Sequence, residues 1–376
     1  MFRALSLLPE RRTFMLKRTA LLRFDPALAS LRDGISAVQR MGATLWIAND
    51  ETTSLERLTV RNAAPGAEVI CDEHRSFSLI EYLKLPIPKS DAEIDIEGLA
   101  YDQHTGYLWV TGSHSLKRKK AKADNSVQKN IKQLSTVEAD GNRYLLARIP
   151  VVREGDSYVL AKKVETDARA AAQLNGNEFG NDLIKEIAKD DQLKDFLRIP
   201  GKDNGFDIEG LAVIGSRLLL GLRGPVLRGW ATILEIEPEL NKDSTDTLVL
   251  KKIGPDGRRY RKHFFELNGL GVRDLCTTGD DLLILAGPTM ELDGPVRVFR
   301  WRGGFAGEES VVFSDQLELV MEVPFGQGVD HAEGMCLFGT DEQAGDELLM
   351  VYDAAAPSRK RGDTDVEADV FTPDQR

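Results

Sequence analysis

A six-residue phrase recurs in this chain and sets carboxylates at matching places. Asp95-Ile96-Glu97-Gly98-Leu99-Ala100 returns as Asp207-Ile208-Glu209-Gly210-Leu211-Ala212, and a third copy reads His331-Ala332-Glu333-Gly334-Met335-Cys336. If the repeats close into a ring, Glu97, Glu209 and Glu333 converge on its axis. Three carboxylates brought that close repel, so the site must hold a cation, hold protons, or carry its own counter-charge. Hard oxygen donors without a neighbouring cysteine point to Ca²⁺ or Mg²⁺ as the cofactor, with the three glutamates as metal ligands. Arg273 occupies the same place in a diverged repeat and could neutralise one carboxylate without metal. His331, which replaces the aspartate of the phrase, adds a titratable group.

These residue types support a hydrolytic reading. A metal would orient a phosphate or carboxylate ester and lower the pKa of a bound water, with Arg273 holding the anionic substrate and His331 beside it as the second catalytic group. His114, Arg223 and Asp353 each follow a second strand and are expected on the rim as substrate-binding residues. Asp95, Asp207 and Asp274 are expected to support the site by bonding nearby backbone N–H groups. The alternative is purely structural: the phrase shapes a tight strand entry, and glycine follows glutamate because the axis is crowded. The protein would then be a non-enzymatic scaffold that presents its rim to a protein partner.

Periodicity identifies the elements that must position these groups. Second strands read as short buried runs at Leu45-Trp46-Ile47-Ala48, Leu108-Trp109-Val110-Thr111, Leu218-Leu219-Leu220-Gly221, Leu282-Leu283-Ile284-Leu285 and Leu348-Leu349-Met350-Val351. Working back from them places Ser36, Glu97, Glu209, Arg273 and Glu333 at one equivalent position. Third and fourth strands are expected at Tyr144–Ile149 and Tyr158–Ala161, Ala231–Ile236 and Leu248–Leu250, and Val296–Trp301 and Leu317–Val320. Four strands per unit predict an all-β fold, a β-propeller of five blades, with six as the alternative. The last unit is too short, and the N-terminal run Thr19–Phe24 is placed to complete it, which removes an open edge. Residues 167–197 turn to helical spacing, with Asn181 or Asp182 as the N-cap. This insertion is expected on the rim that carries the phrase, as a lid or as a packing element. Lys117-Arg118-Lys119-Lys120-Ala121-Lys122 reads as a basic run in a loop. The polar stretch from about 358 to 376 reads as a mobile tail.

Size and composition set the outer limits. The 376 residues, 42% of them hydrophobic, are expected to form a single domain over 1–376. A net charge of −11 argues against nucleic acid. Cys71, Cys276 and Cys336 form no CxxC pair and fit a reducing, cytoplasmic setting. Glu10-Arg11-Arg12 interrupts the first apolar stretch too early for a signal segment, and no run approaches the ~20 apolar residues that span a bilayer, so no membrane is expected as a partner.

As a set, the Asp-Ile-Glu-Gly-Leu phrases resemble a bacterial family known as domain of unknown function 3616. Val110-Thr111-Gly112-Ser113-His114-Ser115, Gly221-Leu222-Arg223-Gly224-Pro225, Arg273-Asp274-Leu275 and Leu285-Ala286-Gly287-Pro288-Thr289 extend the likeness from about Asp33 to Asp353. The resemblance implies a β-propeller and brings no activity with it. More distantly, the Glu-Gly-Leu repeats are similar to those of phytase-like and esterase-like propellers, which implies a central calcium site. Arg273 departs from their all-acidic ring.

Overall fold

Each copy of the phrase, and each diverged counterpart, opens a strand. These first strands are Ile35–Met41, Ile96–Asp102, Asp207–Ile214, Gly271–Thr278 and His331–Leu337. Each pairs antiparallel with the apolar run that follows it, at Thr44–Asn49, Tyr107–Gly112, Arg217–Gly224, Asp281–Gly287 and Leu348–Asp353. These second strands are buried on both faces, which is why they read as continuous apolar runs rather than alternating ones. A third strand joins each pair, at Ser54–Val60, Leu146–Glu154, Ala231–Ile236, Val296–Trp301 and Asp365–Pro373. The computed structural model describes residues 14–61, 66–88, 92–304, 307–339 and 347–373; the interrupted apolar stretch at the N-terminus lies outside them.

The first strands pack on one another in cyclic order, the last against the first, so the all-β arrangement is propeller-like. Closure is made by the N-terminal strand Phe14–Arg23. It pairs antiparallel with Asp365–Pro373 and, through Ala20–Leu22, parallel with Val69–Cys71. One sheet therefore runs continuously from the first repeat to the last. Apolar clusters fill the spaces between successive sheets, as where Leu211, Phe206 and Leu220 meet Trp109 and Tyr107. Among the described residues no helix is long and apolar enough to cross a membrane, and the three cysteines are free thiols.

The glycine of the phrase is needed for close approach. A Cβ on Gly98 would lie 2.6 Å from the Leu211 Cβ of the neighbouring first strand and 2.9 Å from Thr111 Cγ2. One on Gly334 would lie 2.8 Å from Val351 Cγ2 and 3.0 Å from Ala37 Cα. Gly98→Ala is therefore expected to destabilise the fold by about 1–3 kcal/mol through overpacking. Urea denaturation checks this, and an unchanged midpoint would refute the crowding argument.

Several expectations are corrected. The stretch after Ser358 is not a mobile tail as far as 373: it carries the strand Asp365–Pro373, in which Val366, Ala368 and Val370 alternate inward between acidic neighbours. Thr247–Leu250 does not serve the third repeat but crosses to pair in parallel with Ala172–Leu174, the outer strand of the second. The fourth strand of the third repeat is instead Tyr260–Phe265, whose Arg261, Lys262 and His263 mask it as polar. Tyr158–Ala161 likewise gives only a hairpin partner to Leu146–Glu154.

The long interval before the second copy contains two α-helices, α1 (Val127–Ser135) and α2 (Asp182–Ile187). Only α2 falls in the expected insertion, and it is short. Asn181 caps it by accepting from Ile184 N. Leu183, Ile187 and Leu193 are buried against the third sheet, where Asp190 accepts from Tyr260 Oη at 2.6 Å and pairs with Lys262 Nζ at 2.6 Å. The insertion is thus a packing element, although its end reaches the axial mouth. Helix α1 grows out of the basic run, where no helix was expected.

Candidate axial site

Ser36, Glu97, Glu209, Arg273 and Glu333 share a backbone feature that sequence reasoning missed. The antiparallel register slips by one residue at each of them. In the second repeat, for example, Ile96 faces Gly112 and Gly98 faces Thr111, so Glu97 has no cross-strand partner. The same slip brackets Ser36, Glu209, Arg273 and Glu333. A bulge re-aims the side chain it carries, which confirms the alignment of the five positions and explains why they gather.

The gathered charges are balanced by guanidinium groups. Arg273 reaches two carboxylates at once: Nη1 lies 3.2 Å from Glu209 Oε2, and Nη2 donates to Glu333 Oε1. Arg223 Nη1 donates to Glu209 Oε1 at 2.7 Å, while its remaining nitrogens donate to Thr289 O at 2.8 Å and Met290 O at 3.3 Å. Both arginines are buried. Burial pushes Glu333 up to about 8 despite Arg273, with Asp353 and Glu209 adding to the rise.

Glu97 stands apart. It is half-buried and makes no hydrogen bond or ion pair among the described residues. Burial, then the charges of Asp95, Glu209, Glu333 and Asp50, hold its carboxyl well above the ordinary glutamate value. Asp50, which follows the second strand of the first repeat, behaves alike. Burial and the neighbouring Asp353 and Asp95 push it up to about 7, and its buried Oδ1 has no hydrogen-bond partner among the described residues. Lys202 is exposed at the mouth; desolvation works against its charge, but Glu333 and Glu97 help to hold its ammonium above the ordinary value. Neither Asp50 nor Lys202 was among the expected site residues. The polar turn after Ala48 and the Pro200-Gly201 turn before the phrase were the only signals for them.

The aspartates act as supports. Arg143 Nη1 pairs with Asp95 Oδ2 at 2.8 Å. Asp274 accepts from Leu275 N and, across the gap, from Met335 N, each at 2.7 Å, which laces two first strands together. Asp207 is packed against Gly201, where a Cβ would meet its Oδ2 at 2.3 Å; burial and Glu209 push it up to about 7.

Three expected roles do not fit this geometry. His114 is buried rather than on the rim. Its Nδ1–H donates to Gly112 O at 2.8 Å, its Nε2 accepts from Asn181 Nδ2 at 2.8 Å, and burial lowers its pKa to about 4, so it is a neutral structural bridge. His331 turns outward to Asp293 Oδ1 at 3.3 Å and makes no bond to the glutamates. Arg223 is interior, spent on Glu209 and two carbonyls. Asp353 is half-buried, paired in register with His331, and its charge is felt by Asp50 and Glu333.

The arrangement does not fit the Ca²⁺ or Mg²⁺ expected on Glu97, Glu209 and Glu333. Arg273 already lies between two of the three carboxylates, where a dication would have to sit, and like charges exclude each other. Among the described residues no group of three or more His, Cys, Asp or Glu is disposed to hold a metal ion.

A family model described as "Protein of unknown function (DUF3616)" matches residues 34–369. No curated protein matches. Among solved structures, the chain is similar to the WD40 β-propeller domain of Doa1, at 8% identity over 96% of this chain and 98% of that one, with a TM-score of 0.31. It is also similar to the PQQ-bound aldose sugar dehydrogenase from Streptomyces coelicolor, at 10% identity over 97% and 99% of the two chains, with a TM-score of 0.35. Scores this low carry no argument about function.

Proposed function

We propose, from the premise that the chain belongs to the DUF3616 family, that it is a five-bladed, single-domain β-propeller whose axial site binds a small neutral polyhydroxyl ligand and hydrolyses an ester of it. The blade count rests on the recurrence of the same bulge in five first strands that pack in a cycle. Three free thiols suit a reducing compartment such as the cytoplasm.

The single observation that carries the reading is Glu97: a carboxyl held well above the ordinary glutamate value and without a partner among the described residues, while Glu209 and Glu333 beside it are paired. Such a group is a general acid at neutral pH. It would give its proton to the departing alcohol oxygen while water attacks the ester carbonyl, and Asp50, poised near neutrality, would take the proton from that water. The ligand class follows from the charge. Arg223 and Arg273 are occupied, Lys202 at the mouth makes no ion pair among the described residues, and the surrounding acids disfavour the anionic substrate first expected. Carboxyl groups that both donate and accept suit hydroxyls.

Chromogenic esters and acylated sugars, assayed with the wild type and Glu97→Gln, test this. Turnover is expected near neutral pH and should fall by about 10²–10⁴-fold in the variant with its fold intact. No turnover by the wild type, together with no change in melting temperature on adding sugars, would overturn the reading. That outcome would favour the scaffold with a protein partner.

A further inference from the structure

We propose that the rim around the axial mouth docks on an anionic lipid bilayer. The proposal starts from α1. None of its residues is buried, although Ser126 Oγ caps it by accepting from Lys129 N. Val127, Ile131 and Leu134 are 69%, 63% and 50% exposed and stand one above another at i, i+4 and i+7. A nine-residue helix with its whole apolar stripe in water is marginal by itself. Its stripe is built for a partner outside the fold.

The stripe belongs to a larger rim. Lys117 pairs with Glu93, Arg118 with Asp203, and Lys120 with Glu291, which hold the α1 excursion against the mouth. Glu291 lies between the exposed Met290 and Leu292, on the loop whose carbonyls Arg223 grips. Asp293 on that loop accepts from Gly328 N, in the segment that exposes Phe325. Apolar side chains from three separate segments thus surround one opening, and a broad surface covers them together better than a single groove would.

Charge decides which surface. Residues 117–138 carry seven Lys and Arg against two acids, Asp124 and Glu138, in a chain of net charge −11, and Lys119 pairs with Glu138. Lys122, Lys129 and Lys132 make no ion pair among the described residues. Exposed aliphatics among unpaired lysines match an anionic headgroup layer over acyl chains. A second copy of this chain would bring two basic excursions together and is disfavoured. Docking of this kind needs no spanning segment and departs from the expectation that no membrane takes part. It uses only the rim, so it stands or falls separately from ester hydrolysis.

Vesicle co-sedimentation tests it, with phosphatidylcholine alone and with phosphatidylcholine mixed with phosphatidylglycerol. The full chain is expected to sediment with the mixed vesicles only, and less so at high salt. Ile131→Asp combined with Leu134→Asp should weaken binding by about tenfold or more, and Lys122→Glu with Lys129→Glu and Lys132→Glu should do the same. These side chains are exposed, and an unchanged circular dichroism spectrum reports that the fold is kept. Failure of the wild type to sediment with mixed vesicles, or equal sedimentation of all three proteins, would overturn the proposal. So would a concentration-dependent dimer that only the aspartate variant loses.

Discussion

Arg273→Met is expected to destabilise the protein by about 3–5 kcal/mol, the usual result of removing one partner from a buried ion pair. The guanidinium touches both Glu209 and Glu333, and all three side chains are buried. Without it, Glu209 keeps Arg223, but Glu333 loses the only partner it has among the described residues. Adding Glu333→Gln should recover part of the loss at pH 8, where that carboxyl begins to ionise and would be left a stranded charge. Acid should narrow the gap between variant and wild type, since Glu333 is protonated at pH 5 and leaves no charge there for Arg273 to pair. Urea denaturation of the two single variants and the pair at pH 5 and 8 measures all of this. An Arg273→Met protein as stable as the wild type would show that the axis has room for water or another cation to take over.

The second large effect is on the pH dependence of stability. Asp50 and Asp207 rise from ordinary values of 3.8 to about 7, and Glu333 from 4.5 to about 8. The folded protein therefore holds protons that the unfolded chain releases near pH 4. This stabilisation is complete below the unfolded values and is lost as pH rises through 7 and 8. Glu235 acts in the opposite sense. Burial works against its charge, but hydrogen bonds from His263 and Arg217 outweigh it and lower it to about 2. Its contribution is present above about pH 4.5 and fades as pH falls toward 2. Together these groups place the maximum of stability at about pH 4, with a loss on the order of a few kcal/mol by pH 8.5. Melting temperatures across that range test the sign, and Asp50→Asn should flatten part of the slope. Stability that rises steadily from pH 5 to pH 8.5 would mean that the axial acids are ionised together in the folded state.

Legibility in the sequence followed local pattern. Buried second strands announce themselves, because a strand covered on both faces is apolar throughout, as at Leu45–Ala48 and Leu282–Leu285. The shared position of Ser36, Glu97, Glu209, Arg273 and Glu333 was also legible, since each is followed by an apolar second strand, although the gap to that run's first leucine varies from 9 residues (Ser36 to Leu45) to 15 (Glu333 to Leu348). Even the capping role of Asn181 could be read, because caps act over a single turn. Outer strands were harder. Tyr260–Phe265 runs Arg261, Lys262 and His263 in a row and Asp365–Pro373 sets acids between its apolar residues, and nothing local distinguishes such a strand from a solvated loop.

The chemistry of the axis lay beyond local pattern. Sequence alone determined which side chains converge, and that their charges could not simply add. It left three answers open: cation, protons or counter-charge. Tertiary structure supplied counter-charge and raised the affinity of several carboxyls for protons. It placed Arg273 between Glu209 and Glu333, turned Arg223 inward to Glu209, and raised the carboxyls of Glu97 and Asp50 above their ordinary values. It also buried His114 and turned His331 away, though both had looked available. The physical reason is that pairing and desolvation depend on distances of a few ångströms between residues 14 to 64 apart in the chain, which no spacing along the sequence encodes.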